Sequence, residues 1–342
     1  MTDGRYAMLV APAEFTVDRR PADTPNRGEV RLRIRDCGVC GSDLKMWAGT
    51  HAFLRPPLLL GHEIYGRVEA VGEGSVLFDV GADAVVFPPV GCGECFHCLR
   101  DQPQLCAEMR FHGGQLPGGL AEHLIISERN LLHVPTGIPE PQRVLIEPLA
   151  VGVHAVVRAA GEPGEAAAVI GAGAIGLFTA LVARARGLDV IILEPSATRR
   201  ARAAMLGLTA VDAGSTPVEQ AVAELIRPEG ADVVFECVGS GDTIAGALAS
   251  TRKGGRTVVV GNAPPKLQID GLALQRGDRS LVGVLMYDRT DFTEAMDLLA
   301  GGLLAALPES ALVQRFSLEE VGTAFTASKD GTLNALRAVV QP

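Results

Sequence analysis

Between Ala166 and Glu194 the chain reads AAAVIGAGAIGLFTALVARARGLDVIILE, and no other stretch narrows the fold so far. Residues 166–183 carry no charge over eighteen positions, a length that touches the threshold for a membrane span. Glycines at 171, 173 and 176 point elsewhere. An apolar strand runs into Gly171-x-Gly173-x-x-Gly176, a helix follows to about Arg186, and a second apolar strand, Asp189–Leu193, ends in Glu194. That order is a βαβ dinucleotide fingerprint. The glycines permit a tight turn, a close approach of backbone to pyrophosphate and close helix packing, while the helix N-terminus attracts the phosphate charge. Glu194 lies eighteen residues past the last glycine, where a carboxylate accepts hydrogen bonds from the adenosine ribose and repels a 2′-phosphate, which favours NAD over NADP. Arg199, Arg200 and Arg202 pull the other way if they turn toward a phosphate; on a helix beginning near Ala197 they also read as a solvated face.

Strand-like runs at Ala231–Glu236, Thr257–Gly261 and Ser280–Leu285 alternate with helical ones at Pro217–Ile226 and Asp242–Thr251. The expectation is an α/β fold with a doubly wound parallel sheet over residues 147–288. Residues 1–146 read differently. In Glu29–Val39, Val30, Leu32 and Ile34 alternate with Arg31, Arg33 and Arg35, the period of a half-buried strand. Short apolar runs at Tyr65–Val71, Ala84–Phe87 and Leu131–Pro135 predict a β-rich first domain. Residues 289–342, with an amphipathic helix at Asp291–Leu299, are expected to pack back on it, because the second sheet is already complete.

At 342 residues the chain is long enough for two domains. Its net charge of −9, with no basic run, argues against nucleic acid as a partner. The opening MTDGRYAMLV has no basic region followed by an apolar run, which predicts neither export nor membrane attachment and a cytoplasmic setting.

Four of the seven cysteines fall within Gly91–Cys106 as Cys92-x2-Cys95-x2-Cys98-x7-Cys106. In a reducing compartment that spacing favours a closed tetrahedral zinc site over disulfides. His97, inside the lobe, reads as a loop residue with four thiolates already at hand. Two shorter fragments, Cys37-Gly-Val-Cys40-Gly-Ser42-Asp43 and Gly61-His62-Glu63, would form an open zinc site if the fold joins them. Taken singly, Cys37 and Cys40 also suit a redox pair, and His62 a structural histidine. Glu147 is the one acid in the apolar run Val144–Val157; a buried carboxylate there needs a metal or a paired cation. His154, seven residues on, reads as a satisfied core histidine.

In this order the motifs resemble the zinc-dependent medium-chain alcohol dehydrogenases, in the sorbitol dehydrogenase-like branch. The resemblance rests on Cys40-Gly-Ser-Asp, Gly61-His-Glu with Gly66, the four-cysteine lobe, Gly118-Gly-Leu-Ala-Glu122, Glu147-Pro-Leu-Ala-Val-Gly-Val-His154 and the glycine fingerprint, and it covers nearly the whole chain. It implies a GroES-like catalytic domain (1–146 with 289–342, lobe 91–106), a Rossmann cofactor domain (147–288) and two zinc ions per chain. Cys40 and His62 match catalytic zinc ligands, with Glu63 or Glu147 as the third. Ser42 matches the hydroxyl that carries the substrate proton outward. The cofactor set implied is Gly171, Gly173, Ala174, Ile175, Gly176, Glu194, Arg199, Val238, Val260 and Gly261. Cys37 is not a ligand in this pattern.

Two departures stand out. Lys45 replaces a histidine common in relatives, so that the proton path runs through water, the cofactor ribose or Lys45 itself. Gly81-Ala-Asp83-Ala replaces a Gly-Asp-Arg-Val turn. The activity implied is hydride transfer between NAD(H) and a secondary alcohol or ketone, a polyol or cyclitol. The alternatives are an aminocyclitol of the 2-deoxy-scyllo-inosamine kind or a threonine-type amino alcohol, and, in another class, a dinucleotide-binding protein without catalysis. A homo-oligomer, dimer or tetramer, is expected to form through the last strand of the cofactor sheet, about Ser280–Tyr287.

Overall fold

The strand Glu29–Gly38 is the hub of the first half of the chain. In this computed structural model, which describes residues 3–214 and 216–342, Val30, Leu32 and Ile34 are buried while Arg35 is exposed. Met1 and Thr2, the first residues of the MTDGRYAMLV stretch, lie outside the described residues. The strand pairs antiparallel with Glu63–Val71, with His123–Ser127 and with Arg337–Gln341 near the chain's end. Asp83–Val86, Leu131–His133 and Val313–Ser317 complete a seven-stranded sheet. Its pairing register shifts between Ile34 and Asp36, and from Asp36 to Val39 the alternation gives way to four consecutive buried residues. A bulge of this kind re-aims side chains. Cys40 follows one residue later.

The apolar face of this sheet and the helix Val321–Asp330 enclose one core, in which Phe15 and Trp47 pack on Phe325 at ring-centroid distances of 4.9 and 5.9 Å. Burying a Leu or Phe side chain stabilises by roughly 1.5–3 kcal/mol, so this core needs no metal for its bulk stability. The shifted Asp83 has a role in the structure. It accepts hydrogen bonds from Arg67 at 2.9 Å and from Arg143 at 2.7 Å, and Arg143 also donates to the Tyr65 hydroxyl at 2.6 Å.

The second sheet holds six parallel strands in the order Thr209–Val211, Asp189–Leu193, Ala166–Ile170, Ala231–Glu236, Thr251–Val259, Ser280–Gly283. This is the 3-2-1-4-5-6 order of a Rossmann fold, with its switch point between Ala166–Ile170 and Ala231–Glu236. The uncharged run at 166–183 resolves into the strand Ala166–Ile170 and the helix Ala174–Ala185. Among the described residues no helix is long and apolar enough to cross a membrane. Helix Ile146–Ala159 packs on Ala174–Ala185 through Gly152, where an added Cβ would lie 3.0 Å from the Phe178 carbonyl carbon.

By internal contacts one unit comprises the chain to Glu147 with Met296–Gly301 and Pro308–Pro342, and the other Pro148–Ala295 with Gly302–Leu307. The division therefore falls inside the helices Ile146–Ala159 and Arg289–Ala300.

Candidate active site

Two groups of side chains that could hold a metal ion form within the first unit. In the lobe, the sulfurs of Cys92, Cys95, Cys98 and Cys106 all lie within 4.8 Å of one another. None is in a disulfide, and the Cys92 and Cys98 sulfurs stand 4.0 Å apart. Backbone N–H groups face the sulfurs: Cys92 donates to Cys106 at 3.4 Å and Cys98 to Cys95 at 3.5 Å. The Cys98 N–H is the main reason the Cys95 thiol is held down to about 6. Cys98 goes up to about 11: a backbone N–H from Gly93 favours its charge, but burial and the neighbouring thiols outweigh it. A divalent cation would relieve that conflict by holding all four sulfurs as thiolates. Gly91 leaves the space, since a Cβ there would sit 2.4 Å from the Cys98 sulfur. The donor set fits zinc with no position left over. His97 stays outside it, its Nδ1 3.4 Å from Gln102 Oε1.

The second group is buried and chemically mixed. Cys40 is the N-cap of the short helix Gly41–Trp47, and its N–H donates to Asp43 Oδ2 at 3.0 Å. The other Asp43 oxygen stands 3.3 Å from His62 Nδ1. That contact favours the proton on Nδ1 and leaves the Nε2 lone pair for a metal; Nε2 lies 3.5 Å from Ser42 Oγ. One ligand atom each from Cys40, His62 and Glu63 lies within 4.8 Å of the others. Burial opposes a charge on His62, yet the Asp43 carboxylate and Cys40 push it well up, so a metal must displace a proton here.

Glu63 has no exposed surface, and its Oε1 is 2.8 Å from Arg337 Nη2. Burial pushes the carboxyl up, against the pull of Arg337 and His62. Arg337 remains a cation despite its burial, because Glu63 and then Cys40 hold the charge. Both Glu63 oxygens lack an aligned hydrogen bond, an orphaned buried acceptor that a metal or its water would satisfy. Gly38 makes room for this carboxylate, since a Cβ there would fall 2.1 Å from Glu63 Oε2. A soft thiolate, an imidazole and a hard carboxylate together suit zinc, a borderline cation, and three protein donors would leave a fourth position open.

Glu147 is buried in the first turn of Ile146–Ala159 and stands outside the three-residue group, although its charge acts on Arg337 and on Cys37. Cys37 is also outside it, its fully buried thiol pushed well up by burial and wedged against Gly61. Lys45 is half-buried on the Cys40 helix, and its carbonyl accepts the N–H groups of Thr50 and His51. Trp47, which ends that helix, belongs to the core, and Phe53 beyond it is 87% exposed.

In the second unit the three glycines play three parts. Gly171 has φ +95°, which favours glycine; a Cβ on Gly176 would lie 1.9 Å from the Gly171 carbonyl oxygen; around Gly173 nothing lies within 4 Å. That opening, at the N-terminus of Ala174–Ala185, is a cradle for a pyrophosphate. Glu194 is 2% exposed and accepts N–H hydrogen bonds from Ala172 at 2.7 Å and Ser196 at 2.8 Å, with Arg199 Nη1 3.7 Å away. Arg200 is committed to the carbonyls of Glu194 and Pro195 and to Asp212, and Arg202 is buried. Ala174 is buried, Ile175, Val260 and Gly261 are half-buried, and Val238 is 54% exposed.

Residues 26–136 match the alcohol dehydrogenase GroES-like domain and residues 174–301 the zinc-binding dehydrogenase family. The chain is 34% identical over 339 residues to 2-dehydro-3-deoxy-L-galactonate 5-dehydrogenase of Pseudoalteromonas atlantica, covering 98% of each. The chain belongs to the zinc-dependent medium-chain alcohol dehydrogenases. Its place is in the polyol dehydrogenase-like branch: it is also 31% identical to the sorbitol dehydrogenase of Halalkalibacterium halodurans over 96% of each chain. A solved zinc-binding dehydrogenase structure from Sinorhizobium meliloti 1021, bound to NADP, superposes with a TM-score of 0.90 at 27% identity over the full length of both chains. The protein is thus a zinc-type oxidoreductase of alcohols with an NAD(P)-binding Rossmann unit.

Within this dehydrogenase, sequence reasoning missed Arg337, Asp43 and Phe111. The Phe111 ring meets His62 edge-on at 6.1 Å. Asp43 had a signal, since it closes the Cys-Gly-Ser-Asp motif. Arg337 had none, because only the pairing of Arg337–Gln341 with Glu29–Gly38 brings it to Glu63. His154 has a partner: its Nδ1 lies 2.8 Å from Asp291, which caps the helix Arg289–Ala300 together with Asp288.

Proposed function

We propose that this enzyme interconverts a secondary alcohol and its ketone on a polyhydroxylated substrate, a polyol, cyclitol or sugar acid, with NAD(H) as the preferred cofactor. The observation that carries the reading is the buried group of Cys40, His62 and Glu63, in which each donor has its own support: Asp43 beside Cys40 and His62, and Arg337 beside Glu63. A protein that only bound dinucleotide has no use for such a set. Zinc held by Cys40, His62 and a glutamate supplies Lewis acidity at the substrate oxygen, and the nicotinamide supplies the hydride acceptor. Ser42 Oγ, 3.5 Å from His62 Nε2, takes the hydroxyl proton at the edge of the metal group. Lys45, one turn further along the same helix, continues the path outward. Glu63, which lies in the group and pairs with Arg337, and Glu147, buried in the first turn of Ile146–Ala159, are the two carboxylates that would supply the third donor.

Two relatives support the substrate class, since they are named for sorbitol and for a deoxygalactonate. Glu194 supports NAD: a buried carboxylate at the end of the second strand of the fingerprint repels a 2′-phosphate, and of the nearby arginines Arg200 is tied to backbone carbonyls and Asp212 while Arg199 Nη1 lies 3.7 Å from the carboxylate. The second zinc belongs to the cysteine lobe. A cytoplasmic setting suits seven free cysteines. Among the described residues the strand Ser280–Gly283 ends its sheet with one edge unpaired, and we assign that edge to a homo-oligomer contact. Zinc-replete enzyme offered NAD with polyols, inositols, sugar acids, aminocyclitols and amino alcohols should reduce NAD with at least one polyhydroxylated secondary alcohol. No turnover across that set overturns the reading, and a monomer by light scattering overturns the oligomer.

A further inference from the structure

Glu236 is the last residue of Ala231–Glu236, at the switch point of the Rossmann sheet, and has no exposed surface. Its Oε1 accepts three hydrogen bonds: from the Val238 N–H at 2.8 Å, the Gly239 N–H at 2.7 Å and the Thr243 hydroxyl at 2.8 Å. Through Thr243 it also reaches the cap of the helix Gly241–Ser250, because Thr243 and the N-cap Ser240 bond each other reciprocally. The Glu236 carbonyl oxygen accepts the N–H groups of Val260 at 2.8 Å and Gly261 at 2.9 Å. One residue therefore holds two turns, one with its side chain and the other with its backbone. The turns touch each other directly. A Cβ on Gly261 would lie 2.3 Å from the Gly239 nitrogen, and Gly239, at φ +86°, would place one 2.7 Å from the Asn262 nitrogen.

Burying a carboxylate is costly unless its oxygens are satisfied. Here one oxygen accepts three bonds while Oε2 is buried with no partner among the described residues. A structural tie at this place needs no charge, and the neutral side chain of a threonine or asparagine would brace the turn. A carboxyl group whose second oxygen is buried without a partner, at the carboxyl end of the central strands, is placed to accept one further donor on the side where this fold takes up a dinucleotide.

We propose that Glu236 is a positioning residue for the nicotinamide half of the cofactor. Its carboxylate fixes the Val238–Gly239 and Val260–Gly261 turns as one platform, and Oε2 receives a donor, a water or a cofactor group, when that half is bound. The adenosine half belongs to the glycine turn and Glu194, on the other side of the switch point. The proposal rests on the NAD(H) reading of this unit, and titration of the wild type separates the two: no NADH binding overturns that reading, not this one alone.

The test compares ligands that span different parts of the site. Zinc-replete wild type, Glu236→Ala, Glu236→Gln and Thr243→Val are titrated with NADH and with ADP by calorimetry. For Glu236→Ala the NADH Kd should rise about tenfold or more, as expected for loss of hydrogen bonds to a charged group, while the ADP Kd stays within about twofold. Glu236→Gln keeps the Oε1 acceptor but turns the vacant oxygen into a donor, and should recover only part of the NADH affinity. Thr243→Val removes the bond to Oε1 together with the Thr243 hydroxyl's contacts to Ser240 in the helix cap and should shift NADH by about threefold while ADP stays within about twofold, which keeps the proposal testable if the alanine variant does not fold. Equal weakening of NADH and ADP would reveal a merely structural residue, and unchanged NADH affinity in Glu236→Ala or full recovery in Glu236→Gln would also overturn the proposal.

Discussion

The two metal groups of the first unit use the same thiolate chemistry and differ in nearly everything else. In the cysteine lobe four like donors come from a run of fifteen residues, Cys92–Cys106, and Cys92 is exposed. In the other group three unlike donors come from two separate segments, two of the three are buried, and each has a charged residue beside it. The lobe is complete in itself and leaves nothing for a substrate. The buried group offers only three ligand atoms, one of them on a carboxylate shared with an arginine. A closed shell braces a loop, an open one does chemistry, and four substitutions test that division.

The largest effect is expected at Cys40. Cys40→Ser should lower kcat by about four orders of magnitude, as loss of a metal's Lewis acidity implies, and remove one of two zinc ions per chain by atomic emission. Melting should stay near wild type, since the core around Trp47 and Phe325 does not depend on that metal. A variant that keeps both zinc ions and its activity would break the comparison at its centre.

Arg337→Met comes next. It leaves Glu63 buried without its cation, and breaking such a pair costs about 3–5 kcal/mol. The sign of the pH dependence follows from Glu63, whose carboxyl burial pushes up. The folded state then prefers the protonated acid, so the destabilisation in urea melts should be largest at high pH and shrink as Glu63 takes up its proton at low pH. A loss that grows on acidification would show that Arg337 acts through another partner.

How much of this was legible in the sequence follows from how local each contact is. The lobe, the glycine turn and the Cys-Gly-Ser-Asp helix are runs of adjacent residues, so their spacing already fixes their geometry, and the strand Ala231–Glu236 has the predicted bounds. Arg337 is a lone arginine in a strand whose partner lies near the start of the chain. Glu236 is an acid at the end of an apolar strand, with nothing beside it to distinguish a turn brace from a solvent-facing end. Trp47 ends the helix Gly41–Trp47, and nothing near it in sequence shows that its partner is Phe325, from the far end of the chain. The predicted Thr257–Gly261 strand begins earlier, at Thr251, and ends at Val259, where the two turn N–H groups leave the ladder for Glu236.

Cys98→Ser sharpens the comparison from the other side. The lobe should lose its zinc, and the melting temperature or the oligomer should suffer, while kcat/KM per remaining catalytic zinc stays within about threefold. A change in substrate range with stability intact would mean that the roles of the two groups are reversed.

His97→Ala is the smallest expected effect and the finest test of the lobe's closure. His97 sits between two ligands in sequence, and a histidine in such a place readily replaces a cysteine on zinc. In the structure its ring turns to Gln102 instead, over a long 3.4 Å contact, and packs edge-on to Phe96. Removing it should cost only about 0.5–1 kcal/mol, the worth of one ordinary hydrogen bond, with both zinc ions retained after dialysis against a moderate chelator. Loss of the lobe zinc in this variant alone would mean that the shell is Cys3His with one cysteine in reserve. The lobe would then have an exchangeable position of its own, and the distinction between a closed and an open group would fail where it is now sharpest.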